Sequence, residues 1–488
     1  MNELCITQFV EGYRSFGQRG REMMQNDDFL NEGMEEKARY FEQMLNSGET
    51  FFYDNDELGQ LIDYYLDFEQ IQKATLAIEF GETLYPFENN YKIKKAEVYI
   101  AQRNINGAIK LLEKYRSIEP NNSEIAKLLG DCYALALQYK RALECYLSAF
   151  NLDQSNEELL IRLARINFAL GNNNKAMSYL NAFPDNFKYD EVSIQELIRL
   201  FLDYNHYDDA IQFLEKVINE NPYNYSAWYF TGLINQKQDK NEAAVDAYEF
   251  CIAINEHNTM GHLGKGNCLM ELDRFEEAIE SFKLSMDNDE SDAEVFCNVA
   301  ECYENLKDDN AAKYYYLKSI KINPNISDAY FGLGTVYKRA LQWKEAERYF
   351  LKSIDIDQYE SLYHIELAEV YLIQENSTKC YAHYKKAYEI DSDTTEILLD
   401  YAHAKFEMGD IEDAAQLLLE HLENHDEDHR VYYRIASYSF TLGHFEKGYN
   451  FLHAALGMKP EDYVLLYEFS PFTENIENIT NIIDLYTK

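Results

Sequence analysis

Three histidines, His421, His425 and His429, recur every four residues beside Asp426, Glu427 and Asp428. On one continuous helix that spacing would bring three imidazoles to a single face, a donor set suited to zinc or nickel. No HExxH arrangement accompanies them, so the hydrolytic chemistry of that motif is not indicated. The stretch Gly261-His262-Leu263-Gly264-Lys265-Gly266 has the look of a phosphate-cradling loop. Such a loop needs glycine where Thr259 stands and Ser or Thr where Gly266 stands, and it has neither. Arg162, Arg165 and Arg199 form a basic spot that could hold an acidic group of a partner, unless nearby glutamates hold it first. The eight cysteines include no CxxC pair and read as reduced core thiols. No GxSxG motif, no repeat-independent pair of carboxylates and no Cys–His arrangement stands out. These residues therefore predict no enzyme, no metal and no cofactor.

What must position them is a chain of 488 residues with a formal charge of −41 and 46% apolar residues. That apolar share builds a large core and excludes an acidic disordered tail. The charge argues against a grip on nucleic acid or on an anionic membrane, because phosphates repel carboxylates. The first 24 residues hold no apolar run of signal-peptide length, and no stretch reaches the roughly 18 apolar residues of a membrane span. A cytoplasmic location is the expectation.

Proline reveals the organisation. Pro86, Pro120, Pro222, Pro324 and Pro460 are separated by 34, 102, 102 and 136 residues, all multiples of 34. A frame starting at Asn55 places them at position 32 of a 34-residue unit, and twelve units then run to Asp462 without an insertion. Position 20 is alanine in ten units, with Cys380 and Gly448 in the others. Position 8 is Ala or Gly in ten, with Ile62 and Ile198 the exceptions. Position 24 is always large and apolar, and position 11 is often aromatic, as in Tyr133 and Tyr337. This pattern predicts two antiparallel helices per unit, whose axes approach at the small residues while bulky ones fill the space beside them. The proline ends the second helix, and Asn and Asp in the same turn cap the next one.

The unit from Tyr225 carries Trp228, Gly232, Ala244 and Tyr248, and that from Ser123 carries Gly130, Tyr133, Ala142 and Tyr146. This spacing resembles the tetratricopeptide repeat. The resemblance implies an all-α, right-handed superhelical solenoid of about twelve helix-turn-helix units with capping helices at its ends. The expected division is 1–54, a flexible stretch and a degenerate half-unit; 55–462, the repeats; and 463–488, a C-terminal cap. Met34 to Leu45 reads as the leading helix, with Tyr40 in phase with position 20. Ile476, Ile479, Ile483 and Tyr486 form one face of the last. Asn167 and Lys405 depart from the family at position 11. In this frame His421 ends a second helix and His429 opens a first helix, so the three rings need not converge.

In this family positions 2, 5, 9 and 12 of each first helix face a concave groove. Position 5 then supplies Ile93, Ile161, Tyr229, Leu263, Phe331, Ile365, Leu399 and Tyr433, an apolar strip. Position 9 edges it with charge, including Arg165, Arg199, Glu301 and Glu369. The alternative reading assigns position 5 to packing between units, and the acidic excess to solubility. One branch of the family clamps chaperone C-termini with Lys and Asn at set positions. Here Asn267 and Asn298 match, but Leu263, Asp328 and Gly332 replace the three basic residues, so that clamp is not expected. The resemblance implies a scaffold or adaptor that binds protein or peptide segments carrying apolar and basic side chains. A chaperone-like regulator that binds short or unfolded segments transiently is the alternative, and self-association stays open.

Overall fold

In the computed structural model residues 28–47, 52–182, 191–286, 292–423 and 428–487 are described. Among them are 27 α-helices and no strand. The first helices of the units begin at Asn55, Asn90, Ser123, Glu157, Glu191, Tyr225, Thr259, Ala293, Ser327, Ser361, Thr395 and His429. All but Asn90 stand at position 1 of the frame. Short polar side chains start many of them. Asn122 accepts from the amides of Glu124 and Ile125, Asp292 from those of Glu294 and Val295, and Asp54 closes a capping box with Glu57.

Each first helix ends in the same way. The residue at position 15 has φ between 56° and 88° in all twelve units, and in nine of them it is not glycine. The amide at position 16 then donates to the carbonyl at position 11, as in Gln138 to Tyr133 and Asn376 to Tyr371, 2.8 and 2.9 Å. This six-to-one bond is the Schellman turn. It forms equally at Asn172 to Asn167, Lys240 to Asn235, Asp410 to Lys405 and His444 to Ser439, the four units with a polar residue at position 11. Asn167 is itself buried and donates to Leu163 O, while the Lys405 ammonium lies 4.4 Å from the Tyr381 ring centroid.

The ten alanines at position 20 are fully buried or nearly so, from Ala74 to Ala414, and Cys380 joins them. Where position 24 is aromatic, its ring can require a small residue at position 8. Tyr146, Phe282 and Phe350 fill the space that a Cβ would take on Gly130, Gly266 and Gly334. A second polar joint links units. Trp228 Nε1 donates to Pro222 O at 2.9 Å, and His262 Nε2 lies 3.0 Å from Glu256 O, both carbonyls at position 32.

By contacts the chain divides into Met1–Ile234 and Asn235–Lys488. In the first part, helix Asp28–Ser47 packs on helix Asn55–Asp67 through Ala38, Phe41 and Met44. Tyr40, in phase with position 20, is exposed, and Phe41 beside it is buried. In the second part, helix Val464–Phe469, the 3-10 turn Pro471–Asn475 and helix Glu477–Thr487 follow the last unit. Ile479 and Ile483 are buried as the spacing predicted, whereas Tyr486 is 40% exposed and bonds His453.

Candidate protein-interaction face

The residues that suggested chemistry serve packing. Gly261–Gly266 lies wholly inside helix Thr259–Glu271, with Gly264 under the Tyr248 ring and Gly266 under Phe282, so no loop exists there to cradle phosphate. His421 is buried and bonds the Tyr388 hydroxyl at 2.9 Å. His429 opens the next helix and meets Asp462 at 2.8 Å. These two histidines have separate partners, and His425 lies outside the described residues. Seven cysteines are free thiols in the core, and Cys5 lies outside the described residues.

The first-helix side chains follow a rule that was not anticipated. At three boundaries position 9 of one unit meets position 6 of the next, 31 residues on. Lys94 lies 2.6 Å from Asp63, and Arg162 Nε lies 2.8 Å from Asp131. In the second part Asn298 donates to Asn267 at 3.3 Å. The Asp131 carboxylate also accepts from Tyr146, and Arg162 bonds Glu158 at 2.7 Å. Burial opposes ionisation of Glu158, but Arg162 and Lys127 prevail and hold its carboxyl down at about 2. The basic spot is thus largely internal. Burial lowers the Arg165 guanidinium pKa against the pull of Glu196, and Arg199 is partly exposed.

Position 5 is divided. Ile93 and Ile161 are buried, and each belongs to a hydrophobic cluster of the first part. Leu399 is 8% exposed and Tyr433 fully buried, with its hydroxyl on Lys459 O. These four are core residues and cannot meet a ligand as they stand, which corrects their place in the strip. Tyr229, Leu263, Phe331 and Ile365 keep part of their surface open. Phe331 is nevertheless wedged between Phe350 and Tyr363, at ring separations of 5.6 and 4.9 Å.

The charges also differ from place to place. Glu369 is ion-paired to Lys338, which also holds Glu366 at 2.7 Å. Glu301 is different. Its position-6 counterpart is Gly332, which has no side chain because the Tyr316 ring fills that space. Glu301 is exposed, yet partial desolvation against its helix face, then the charges of Asp328 and Glu271, raises its carboxyl above the ordinary range. The adjacent Glu304 is raised too, by burial first, although it accepts from Tyr316 at 2.8 Å and has Arg339 at 3.8 Å. Burial and the same carboxylates push up the Cys297 thiol. In the first part the like case is Glu97, which burial, with Asp63 and Glu124 adding to it, pushes up to about 7 despite Lys94.

A family model described as anaphase-promoting complex, cyclosome, subunit 3 matches residues 101–183. Models described as tetratricopeptide repeat match 315–348 and 374–436, and one described as coatomer epsilon subunit matches 149–328. The chain is 20% identical over 242 residues to DnaJ homolog subfamily C member 3 of Gallus gallus, covering 46% of this chain and 47% of that protein. It is 25% identical over 162 residues to ER membrane protein complex subunit 2-A of Xenopus laevis, covering 32% and 54%. The chain thus spans about half the length of these curated relatives. Among solved structures, yeast Tom70 is similar over 80% of this chain and 97% of that one, with 13% identity and a TM-score of 0.40.

Proposed function

We propose that this chain, a tetratricopeptide-repeat protein built as an all-α solenoid, is a non-catalytic scaffold that binds segments of a partner protein along first-helix faces. In this reading residues 55–462 are the twelve units, 1–54 a leading segment with a half-unit, and 463–488 the cap. The site is the stretch from helix Thr259–Glu271 to helix Ser361–Ile373. Leu263, Phe331 and Ile365 supply apolar surface there, and Tyr229 does so in the first part. Glu301, with Glu271 and Asp328, supplies charge.

The observation that carries the reading is the open register at Glu301. At Asp63, Asp131 and Asn267 position 9 finds a polar counterpart at position 6 of the next helix. Here glycine stands in that place, and partial desolvation, with the Asp328 and Glu271 carboxylates adding to it, opposes ionisation of Glu301. A lysine or arginine of a partner would supply the missing cation and relieve the repulsion, while its apolar neighbours cover Leu263 and Phe331. The net charge of −41 favours such a partner over nucleic acid or an anionic membrane. Among the described residues no helix is long and apolar enough to cross a membrane, and we place the protein in the cytoplasm. The test is affinity capture of the tagged chain from its own cells, beside a Glu301→Lys, Glu271→Lys variant. Reversal at these surface carboxylates leaves the core intact, whereas changing Phe331 would disturb its contacts with Phe350 and Tyr363.

A further inference from the structure

In the last two units the first helices carry a later segment of this same chain. Phe469, at the end of helix Val464–Phe469, lies over the first helices of the units from Thr395 and His429. Its ring centroid is 5.3 Å from His403, 6.0 Å from Phe406 and 6.1 Å from Tyr438. The two aromatic residues meet it edge-on, at 85° and 87°. The Arg434 guanidinium covers it, 3.5 Å from the centroid. His403 and Phe406 are at positions 9 and 12 of one unit, and Arg434 and Tyr438 at 6 and 10 of the next. Ser470 continues along the same face. Its hydroxyl donates to Ser437 O at 2.7 Å and meets the Ser437 and Thr441 hydroxyls at 2.8 Å. These contacts also account for Leu399 and Tyr433, which share clusters with Phe469 and Leu466 respectively.

We propose that His403, Phe406, Arg434 and Tyr438 form a socket for an aromatic residue at the end of a short helix, and that Glu468–Pro471 is its resident occupant, competing with an incoming segment of the same kind. The socket has the parts that such recognition needs. Two aromatic edges direct the ring, a cation lies on its face, and backbone and hydroxyl groups hold the residue that follows. Phe469 itself is only partly buried, as a ring bound from outside would be. This site lies apart from Glu301 and takes a different side chain, so either proposal can fail alone.

The probe is a fluorescein-labelled synthetic peptide of residues 464–475, VLLYEFSPFTEN, titrated by anisotropy into the full-length chain. Wild type should bind it poorly because the socket is filled. Phe469→Ala empties the socket and should bind about tenfold more tightly. Replacing the peptide's own phenylalanine at 469 by alanine, or adding Arg434→Ala to the variant, should remove the gain. Phe469→Leu keeps apolar volume without a ring, and it should also admit the peptide. A folded Phe469→Ala chain that binds no better than wild type overturns the proposal. Loss of helical circular dichroism in both variants overturns it too, since Phe469 would then be an integral part of the fold.

Discussion

Arg162 reaches back across a unit boundary and holds the Asp131 carboxylate at 2.8 Å, with both side chains buried. The same register sets Glu301 against Gly332, so one joint is closed by two side chains and the other has no side chain to close it. In the proposed reading that contrast separates the charges that join neighbouring units from those offered to a partner.

Arg162→Ala should leave Asp131 buried with its counter-charge gone. Breaking one side of such a pair costs about 3 kcal/mol, most of it as the penalty of the remaining charge. Hydrogen exchange should show earlier opening of helices Ser123–Leu135 and Glu157–Ala169. Adding Asp131→Asn should recover much of the loss. If the single variant exchanges like wild type, the pair contributes nothing.

Leu341 has φ 57° and an exposed side chain. A left-handed non-glycine residue costs about 1 kcal/mol, which glycine does not incur. Leu341→Gly should therefore stabilise its unit by about that amount in urea melts. Gly409→Ala, at φ 88°, should destabilise its own unit similarly. Effects of opposite sign would contradict the assignment of position 15.

Glu97 gives a pH signature. Its folded carboxyl titrates at about 7, above the unfolded range near 4.3. Between those values the folded state holds more protons than the unfolded one. Stability therefore falls as pH rises through this window. Glu97→Gln should flatten that decline and raise Tm above wild type at pH 8, with Lys94 still held by Asp63. Parallel Tm–pH curves for the two proteins would refute the shift.

Much of this was legible because close packing leaves marks in composition. Ala108, Ala142 and Ala346 recur at one spacing because only a small residue fits where two helices touch, and Pro120 and Pro324 mark where the second helix must end. The left-handed turn was hidden: Glu69, Leu137 and Leu341 adopt the conformation with no glycine to signal it. The groove was half hidden. Position 5 has the same register throughout, but Leu399 and Tyr433 are covered by Leu466 and Phe469, which lie outside the repeat and share none of its period. The joint between positions 9 and 6 changes residue type from unit to unit, as Asp131 with Arg162 and Asn267 with Asn298 show. A search for one recurring residue could not find it.

Charge should also govern partner binding. Glu301 is raised, so it ionises at higher pH than an ordinary carboxylate, and affinity for a basic segment should climb as it does. Partner retention should weaken in about 0.5 M salt, where screening shortens the reach of these charges. Retention indifferent to both would place the attraction in apolar contacts alone.

The most direct test of the scaffold account is capture of the tagged chain from its own cells, analysed by mass spectrometry beside the Glu301→Lys, Glu271→Lys variant. The account predicts one or two near-stoichiometric proteins with wild type and their loss with the variant, both chains having equal helical content. Equal recovery with the two chains, or a broad mixture of unfolded proteins in place of a defined partner, would contradict it.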